Sequence, residues 1–218
     1  MLAILQQISV WVLPVMAAII LHEVAHGLVA YRLGDPTAAR RGRLTLNPIP
    51  HIDPIGTIAL PLFLVAVHSP FVFGWAKPVP VNFANLPNPK RDMVKVAAAG
   101  PLTNVALALV SATIMHVLIG VVSAPGGHGG LSGAVLTPLA IMARNSVVIN
   151  VVLAVFNLIP ILPLDGGRVL TGLLPVRQAV AFARLERYGM LIVMLLLYTN
   201  TLGRIMGPVI NLALNALL

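Results

Sequence analysis

Residues 4–30, ILQQISVWVLPVMAAIILHEVAHGLVA, decide how the rest of the chain must be read. The run is longer than the roughly 20 apolar residues a helix needs to cross a bilayer, and its only titratable residues are His22, Glu23 and His26. Ionisable groups inside such a run are costly in lipid and by default have a task there. The start, MLAILQQISV, has no basic n-region, and the run continues into Leu21 without a small-residue cleavage pattern, so it reads as a retained span and not as a secretory leader.

The composition says the same of the whole chain. Of 218 residues, 58% are hydrophobic and only 9% are charged, against roughly 25% charged in an ordinary soluble domain. A compact particle of this length buries only about 70% of its unfolded surface, and too few polar residues are present to cover the remainder. The chain is expected to be an integral membrane protein, with the lipid bilayer as its first partner. A net charge of +8 would suggest nucleic acid in a soluble protein, but the cations are clustered. Arg32, Arg40, Arg41 and Arg43 form one group, Lys77, Lys90, Arg91 and Lys95 a second, and Arg168, Arg177, Arg184 and Arg187 a third, whereas residues 123–137 carry none. That asymmetry between short connections is the mark of a positive-inside topology and argues against nucleic acid. With no cysteine, disulfides and thiolate zinc sites are excluded, so a metal would need His, Asp or Glu.

Further apolar segments follow at Ile55–Trp75, Val96–Val122, Pro138–Leu164, Tyr188–Leu202 and Ile205–Leu218. The expected fold is an all-α polytopic membrane protein of four to six transmembrane helices, forming a single domain over residues 1–218. Ile55–Trp75 holds Pro61, Pro70 and Gly74 and is flanked by further prolines, which disfavours one straight helix. Ala97, Ala98, Ala99 and Gly100 allow a neighbouring backbone to come close to the start of the third segment. The stretch 123–137, with Gly126, Gly127, Gly129 and Gly130 around His128, is expected to be a flexible loop.

The chemistry centres on His22-Glu23-Val24-Ala25-His26. Residues four apart share a helix face, so both imidazoles can reach one ion, and the intervening carboxylate can hold and deprotonate a metal-activated water. Six histidines and two glutamates in 218 residues would produce this pattern by chance in roughly one or two chains per thousand. The alternative is a small transporter or ion-binding protein that uses the same groups as a relay. A catalytic zinc wants a third protein ligand, and the candidates are Asp165, His116, His68, His51 and Asp53. Asp165 follows Pro160 and Pro163 and precedes Gly166-Gly167, where an unwound backbone needs a polar cavity. Topology favours it too. With the basic clusters on the cytoplasmic side, the histidines lie toward the inner end of the first span, and Asp165 reaches that end only if Ile55–Trp75 does not cross. Residues 44–82 are therefore expected to dip into the bilayer and return as a re-entrant hairpin. Short strands are expected at Leu44–Leu46 and Val79–Asn82, whose free edge could pair with an unwound substrate.

These motifs together resemble the site-2 protease family of intramembrane zinc metalloproteases. The resemblance rests on His22 through His26, on Ala99-Gly100-Pro101-Leu102-Thr103-Asn104, and on Phe156-Asn157-Leu158-Ile159-Pro160 leading to Leu164-Asp165-Gly166-Gly167. Residues 74–82, GWAKPVPVN, look like the signature of its compact prokaryotic members, and no PDZ or CBS module is visible. The resemblance implies one zinc ion held by His22, His26 and Asp165, Glu23 as general base, and Asn157 beside the metal, holding substrate or the oxyanion. It also implies a transmembrane protein as substrate, in a prokaryotic plasma membrane with the site toward the cytoplasm. Asn104 is open to either a cross-helix bond or a role in the site.

Overall fold

The computed structural model describes residues 2–69, 73–124 and 130–218. His128 and most of the glycine-rich stretch around it lie outside those residues. Nine α-helices are described: α1 (Leu2–Arg32), α2 (Thr37–Arg40), α3 (Leu60–Ala66), α4 (Pro89–Ser123), α5 (Gly130–Asn157), α6 (Asp165–Leu173), α7 (Val176–Ala183), α8 (Glu186–Tyr198) and α9 (Thr201–Leu217). Three of them, α1, α4 and α5, are long and apolar enough to cross a membrane, and α8 with α9, bent by 76°, can make a fourth span. The count of three to four among the described residues therefore sits at or one below the low end of the four to six expected. The bend falls at Asn200, whose left-handed φ of +55° ends α8 and turns the chain.

Helix α4 is the centre of the molecule, packing on α1, α5 and α6, while α9 lies along α5. Its buried face reads Gly100, Asn104, Ala108, Ser111, Ala112 and Met115, a stripe of small and polar residues at helical spacing. The opposite face exposes Leu102, Leu109 and Val117 at 64%, 53% and 61%. In water that face would be a large apolar patch, whereas in lipid it is the correct surface. Because lipid tails are as apolar as Leu, helix association rests on close packing and interhelical hydrogen bonds, for which small residues are the means.

The segment expected to be re-entrant turns back on itself as a hairpin, but it is built differently from the expectation. A one-turn 3-10 helix (Ile49–His51) leads into a π-helical turn (Pro54–Ala59) that continues as α3. Asp53 caps this unit by accepting the N–H groups of Ile55 and Gly56. The thirteen residues from Pro54 to Ala66 span about 20 Å, short of a hydrocarbon core of about 30 Å. The return limb then pairs with the entry: Trp75 N–H donates to the Gly56 carbonyl at 3.1 Å and Lys77 N–H to that of His51 at 2.9 Å.

No strand occurs among the described residues, so the strands expected at Leu44–Leu46 and Val79–Asn82 are not formed. The second limb runs extended, but most of its donors are missing or taken. Pro78 and Pro80 have no N–H, Val79 donates to the Glu23 carboxylate, and Asn82 donates to that of Asp35. The helix boundaries also shift: α5 begins at Gly130, continuing the apolar pattern through Ala134, Val135 and Leu136, and it stops at Asn157, before Pro160 and Pro163. The C-terminal end of α1, the N-terminal end of α4 and the segment after α5 meet at one end of the bundle, where His26 reaches the Val96 carbonyl and His22 reaches Asp165, and Arg32, Lys90, Arg91 and Lys95 lie on those helix ends.

Candidate active site

His22 and His26 leave α1 on one face, one turn apart, and their Nε2 atoms lie 3.0 Å from each other. Asp165, the first residue of α6, brings Oδ2 to 3.1 Å from His22 Nε2 and 3.2 Å from His26 Nε2. Among the described residues these three form a group whose ligand atoms lie within 4.8 Å of one another.

Hydrogen-bond chemistry decides what can stand between them. His22 Nδ1 lies 2.5 Å from Asn104 Oδ1, and His26 Nδ1 lies 2.7 Å from the Val96 carbonyl oxygen. Both partners are acceptors, so each imidazole carries its proton on Nδ1 and presents the Nε2 lone pair to the centre. The Asp165 oxygen that faces them is an acceptor as well, buried and without a hydrogen-bond donor. Three buried acceptors converging with no donor among them would each forgo roughly 1–3 kcal/mol if left so. A cation satisfies all three. Two imidazole nitrogens and a carboxylate oxygen are also the donor set of a catalytic zinc site with a fourth position open, so the residues present fit the ion.

Two close approaches make the cluster possible. A β-carbon at Gly100 would stand 2.6 Å from His22 Nε2 and nearer still to His26 Nε2, so α4 can pass the ligands only as glycine. One at Gly167 would stand 2.6 Å from the Ile161 carbonyl carbon, so the glycine lets the loop after α5 fold against the first turn of α6 and set Asp165 in place.

The group opens onto a cavity of about 560 Å³ that Glu23 and Asn157 also line. Its other walls are largely apolar, among them Phe73, Trp75, Pro78, Val81, Phe156 and Met190. Glu23 accepts the Val79 N–H at 2.8 Å, which ties the carboxylate to the extended limb of the re-entrant segment. That limb is anchored in turn by buried Asp35, which accepts from the Asn82 N–H at 2.7 Å, Asn85 Nδ2 at 2.7 Å, the Thr37 hydroxyl at 2.5 Å and the Thr37 N–H at 3.1 Å. Burial pushes the Asp35 carboxyl up, but the hydrogen bonds from Thr37, Asn85 and Asn82 outweigh it and hold it below the ordinary value. Asn157 donates one amide N–H to the Leu153 carbonyl of its own helix at 3.0 Å.

The other third-ligand candidates are occupied elsewhere. His51 is buried with Nε2 donating to the Thr45 carbonyl, His116 bonds the Ala112 carbonyl of its own helix, His68 is exposed beyond α3, and Asp53 is the cap described above. Sequence reasoning left Asn104 undecided and passed over Asn150 and Ser146, although a signal existed. Asn104 and Ser111 on α4, and Ser146 and Asn150 on α5, are polar residues seven and four apart inside apolar spans.

The model of peptidase family M50 matches residues 81–199, which include Asn104, Asn157 and Asp165. YwhC of Bacillus subtilis (strain 168), assigned by name to the zinc metalloproteases, is 36% identical over 207 residues, covering 95% of this chain and 88% of YwhC. Rip2 of Mycolicibacterium smegmatis, assigned by name to the same class, is 28% identical over 207 residues, covering 92% of this chain and 72% of Rip2. No solved structure matches the chain.

Proposed function

Since the chain belongs to peptidase family M50 and is an integral-membrane zinc metalloprotease, we propose that it hydrolyses peptide bonds within or beside the transmembrane segments of membrane-protein substrates, and that residues 1–218 act as one domain. His22, His26 and Asp165 hold the zinc ion. The observation that carries this assignment is the convergence of three acceptors, two of them with their tautomer fixed by Asn104 and Val96. Zinc, when bound, acts as a Lewis acid and makes a water nucleophilic near neutral pH.

The remaining steps belong to the side chains. Glu23, beside the ligands and fixed at one oxygen by the Val79 N–H, takes a proton from the attacking water and returns it to the leaving amine. Asn157 uses one amide N–H on Leu153, and its second N–H is available to the carbonyl oxygen on which negative charge develops. A transmembrane helix satisfies its own amides, so the substrate must unwind before water can reach a carbonyl. The apolar cavity walls suit the side chains of such a segment. The basic end of the bundle, where this cavity lies, faces the cytoplasm of a prokaryotic plasma membrane, which shortens the path for water.

The test combines metal analysis of purified protein with cleavage of a model transmembrane substrate for wild type, Glu23→Gln and Asp165→Ala. Glu23→Gln should keep one zinc per chain and lose cleavage by at least about 10²-fold. Asp165→Ala should lose both. Metal-free wild type with full activity, or Glu23→Gln cleaving at the wild-type rate, would overturn the assignment.

A further inference from the structure

The buried polar residues behind the metal-binding group form a chain with one direction. Asn104 and Asn150 are 0% and 1% exposed, in the middle of spans where every polar atom needs a partner. His22 Nδ1–H donates to Asn104 Oδ1 at 2.5 Å, Asn104 Nδ2 donates to Asn150 Oδ1 at 2.8 Å, and Asn150 Nδ2 donates to the Ser146 carbonyl at 2.8 Å and reaches Ser146 Oγ at 3.2 Å. Ser146 Oγ closes on Ser111 Oγ at 2.8 Å. Each link restricts the next. The Ser146 backbone carbonyl can only accept, so Asn150 turns its NH₂ toward it and its oxygen toward Asn104. Asn104 must then donate to Asn150, which leaves its own oxygen facing His22.

From this geometry we infer that Asn104, held by Asn150, is a positioning residue that locks His22 with its proton on Nδ1, so that Nε2 stays an unprotonated lone pair aimed at the metal. The two histidines are secured by different means. His26 bonds a backbone carbonyl of α4, which no substitution removes, whereas the lock on His22 is the Asn104 side chain, whose Nδ2 is oriented by Asn150 Oδ1 at 2.8 Å and more weakly by the Ala18 carbonyl of α1 at 3.4 Å. Without an acceptor at Asn104, a buried Nδ1–H would be left unpaired, and the imidazole would gain by moving its proton to Nε2, where it faces the Asp165 carboxylate instead of a metal. The chain thus couples the packing of α4 against α5 to the coordination chemistry on α1.

The inference rests on the proposed ligand set, and the test separates the two. The readout is the zinc dissociation constant of the detergent-purified full chain, measured by competition with a chelator of known affinity. Wild type should bind one zinc, and His22→Ala should bind none tightly. Asn104→Leu, similar in size but without an acceptor, should still take up one zinc at saturation with a dissociation constant 10- to 100-fold higher, the range for losing such an outer partner. Asn104→Asp, whose carboxyl is neutral in so buried a position and can both accept from His22 Nδ1 and donate to Asn150 Oδ1, should restore the affinity to within about threefold, which is under 1 kcal/mol. Asn150→Leu should weaken binding in the same direction, and it carries the test if Asn104→Leu fails to fold. A merely structural asparagine would lower the thermal stability of metal-free protein and leave the dissociation constant alone. Wild-type affinity in Asn104→Leu or Asn150→Leu, or equal weakening by Leu and Asp at position 104, would overturn the lock. Zinc retained in His22→Ala would instead overturn the ligand set beneath it.

Discussion

Replacing Gly100 with alanine puts a methyl group where the two histidines converge. The added carbon would lie 2.6 Å from His22 Nε2 and closer still to His26 Nε2, whereas ordinary contact begins near 3.4 Å. The imidazoles or α4 must therefore give by about 0.8 Å at His22, taken as 3.4 minus 2.6, and by more at His26, and metal-ligand distances tolerate only about ±0.2 Å. Neither element is free to yield. The rings are tethered at Nδ1 by Asn104 and Val96, and α4 is packed against α1, α5 and α6. The expected outcome is a loss of zinc affinity of at least tenfold and, at a misplacement near 1 Å, a fall in cleavage of about 10²-fold. Helix propensity works the other way, since alanine is preferred to glycine in a helix interior by about 1 kcal/mol. Gly120 on the same helix provides the control: a β-carbon there meets nothing within 4 Å, so Gly120→Ala should keep full zinc content and activity. The assay is zinc per chain by elemental analysis, together with cleavage of a model transmembrane substrate. Gly100→Ala with wild-type zinc affinity and turnover would refute the argument that α4 bounds the metal site.

Two more outcomes follow from the re-entrant limb. Val79→Pro removes the N–H that holds Glu23 while suiting an extended stretch between two prolines. A hydrogen bond to a charged group is worth about 1.5–3 kcal/mol, so turnover should fall roughly ten- to a hundredfold with zinc still bound, and unchanged turnover would remove Val79 from the account. Asp35 has its folded-state pKa held below the ordinary value, so its contribution to stability is complete above about pH 4 and is lost as pH falls through the lower folded-state value. Thermal melts from pH 3 to pH 7 should show wild type more stable than Asp35→Asn at neutral pH, with the gap closing toward pH 3, and a gap independent of pH would contradict the assignment.

What could be read without coordinates was local or punctuated. His22 and His26 are four apart on one helix, so their meeting needs only the 3.6-residue period. Asp165 stood out because Pro160, Pro163 and the Gly166-Gly167 pair mark a break in a span that lipid would not tolerate unless it lined a cavity. The expectation that residues 44–82 turn back rested on charge placement, since a full crossing would export Lys77, Lys90, Arg91 and Lys95. The strands predicted within it were wrong because β-propensity says nothing about who takes the amides, and here two carboxylates, Glu23 and Asp35, take them.

Residue order by itself therefore determined the membrane environment, the number and order of the apolar segments to within one or two, and the three groups able to share a metal. Only the tertiary structure decided the partners of those groups: Asn104 and Asn150 behind His22, Val96 behind His26, Val79 on Glu23, and the empty space at Gly100. The physical reason lies in the solvent. In water, an apolar face points inward and its period reveals how a helix is turned. In lipid, an apolar residue can lie on either face, as Leu102 and Met115 on opposite sides of α4 illustrate, so apolar period alone does not reveal the rotation of a span, and which partner each small or polar residue meets is settled only when the helices pack.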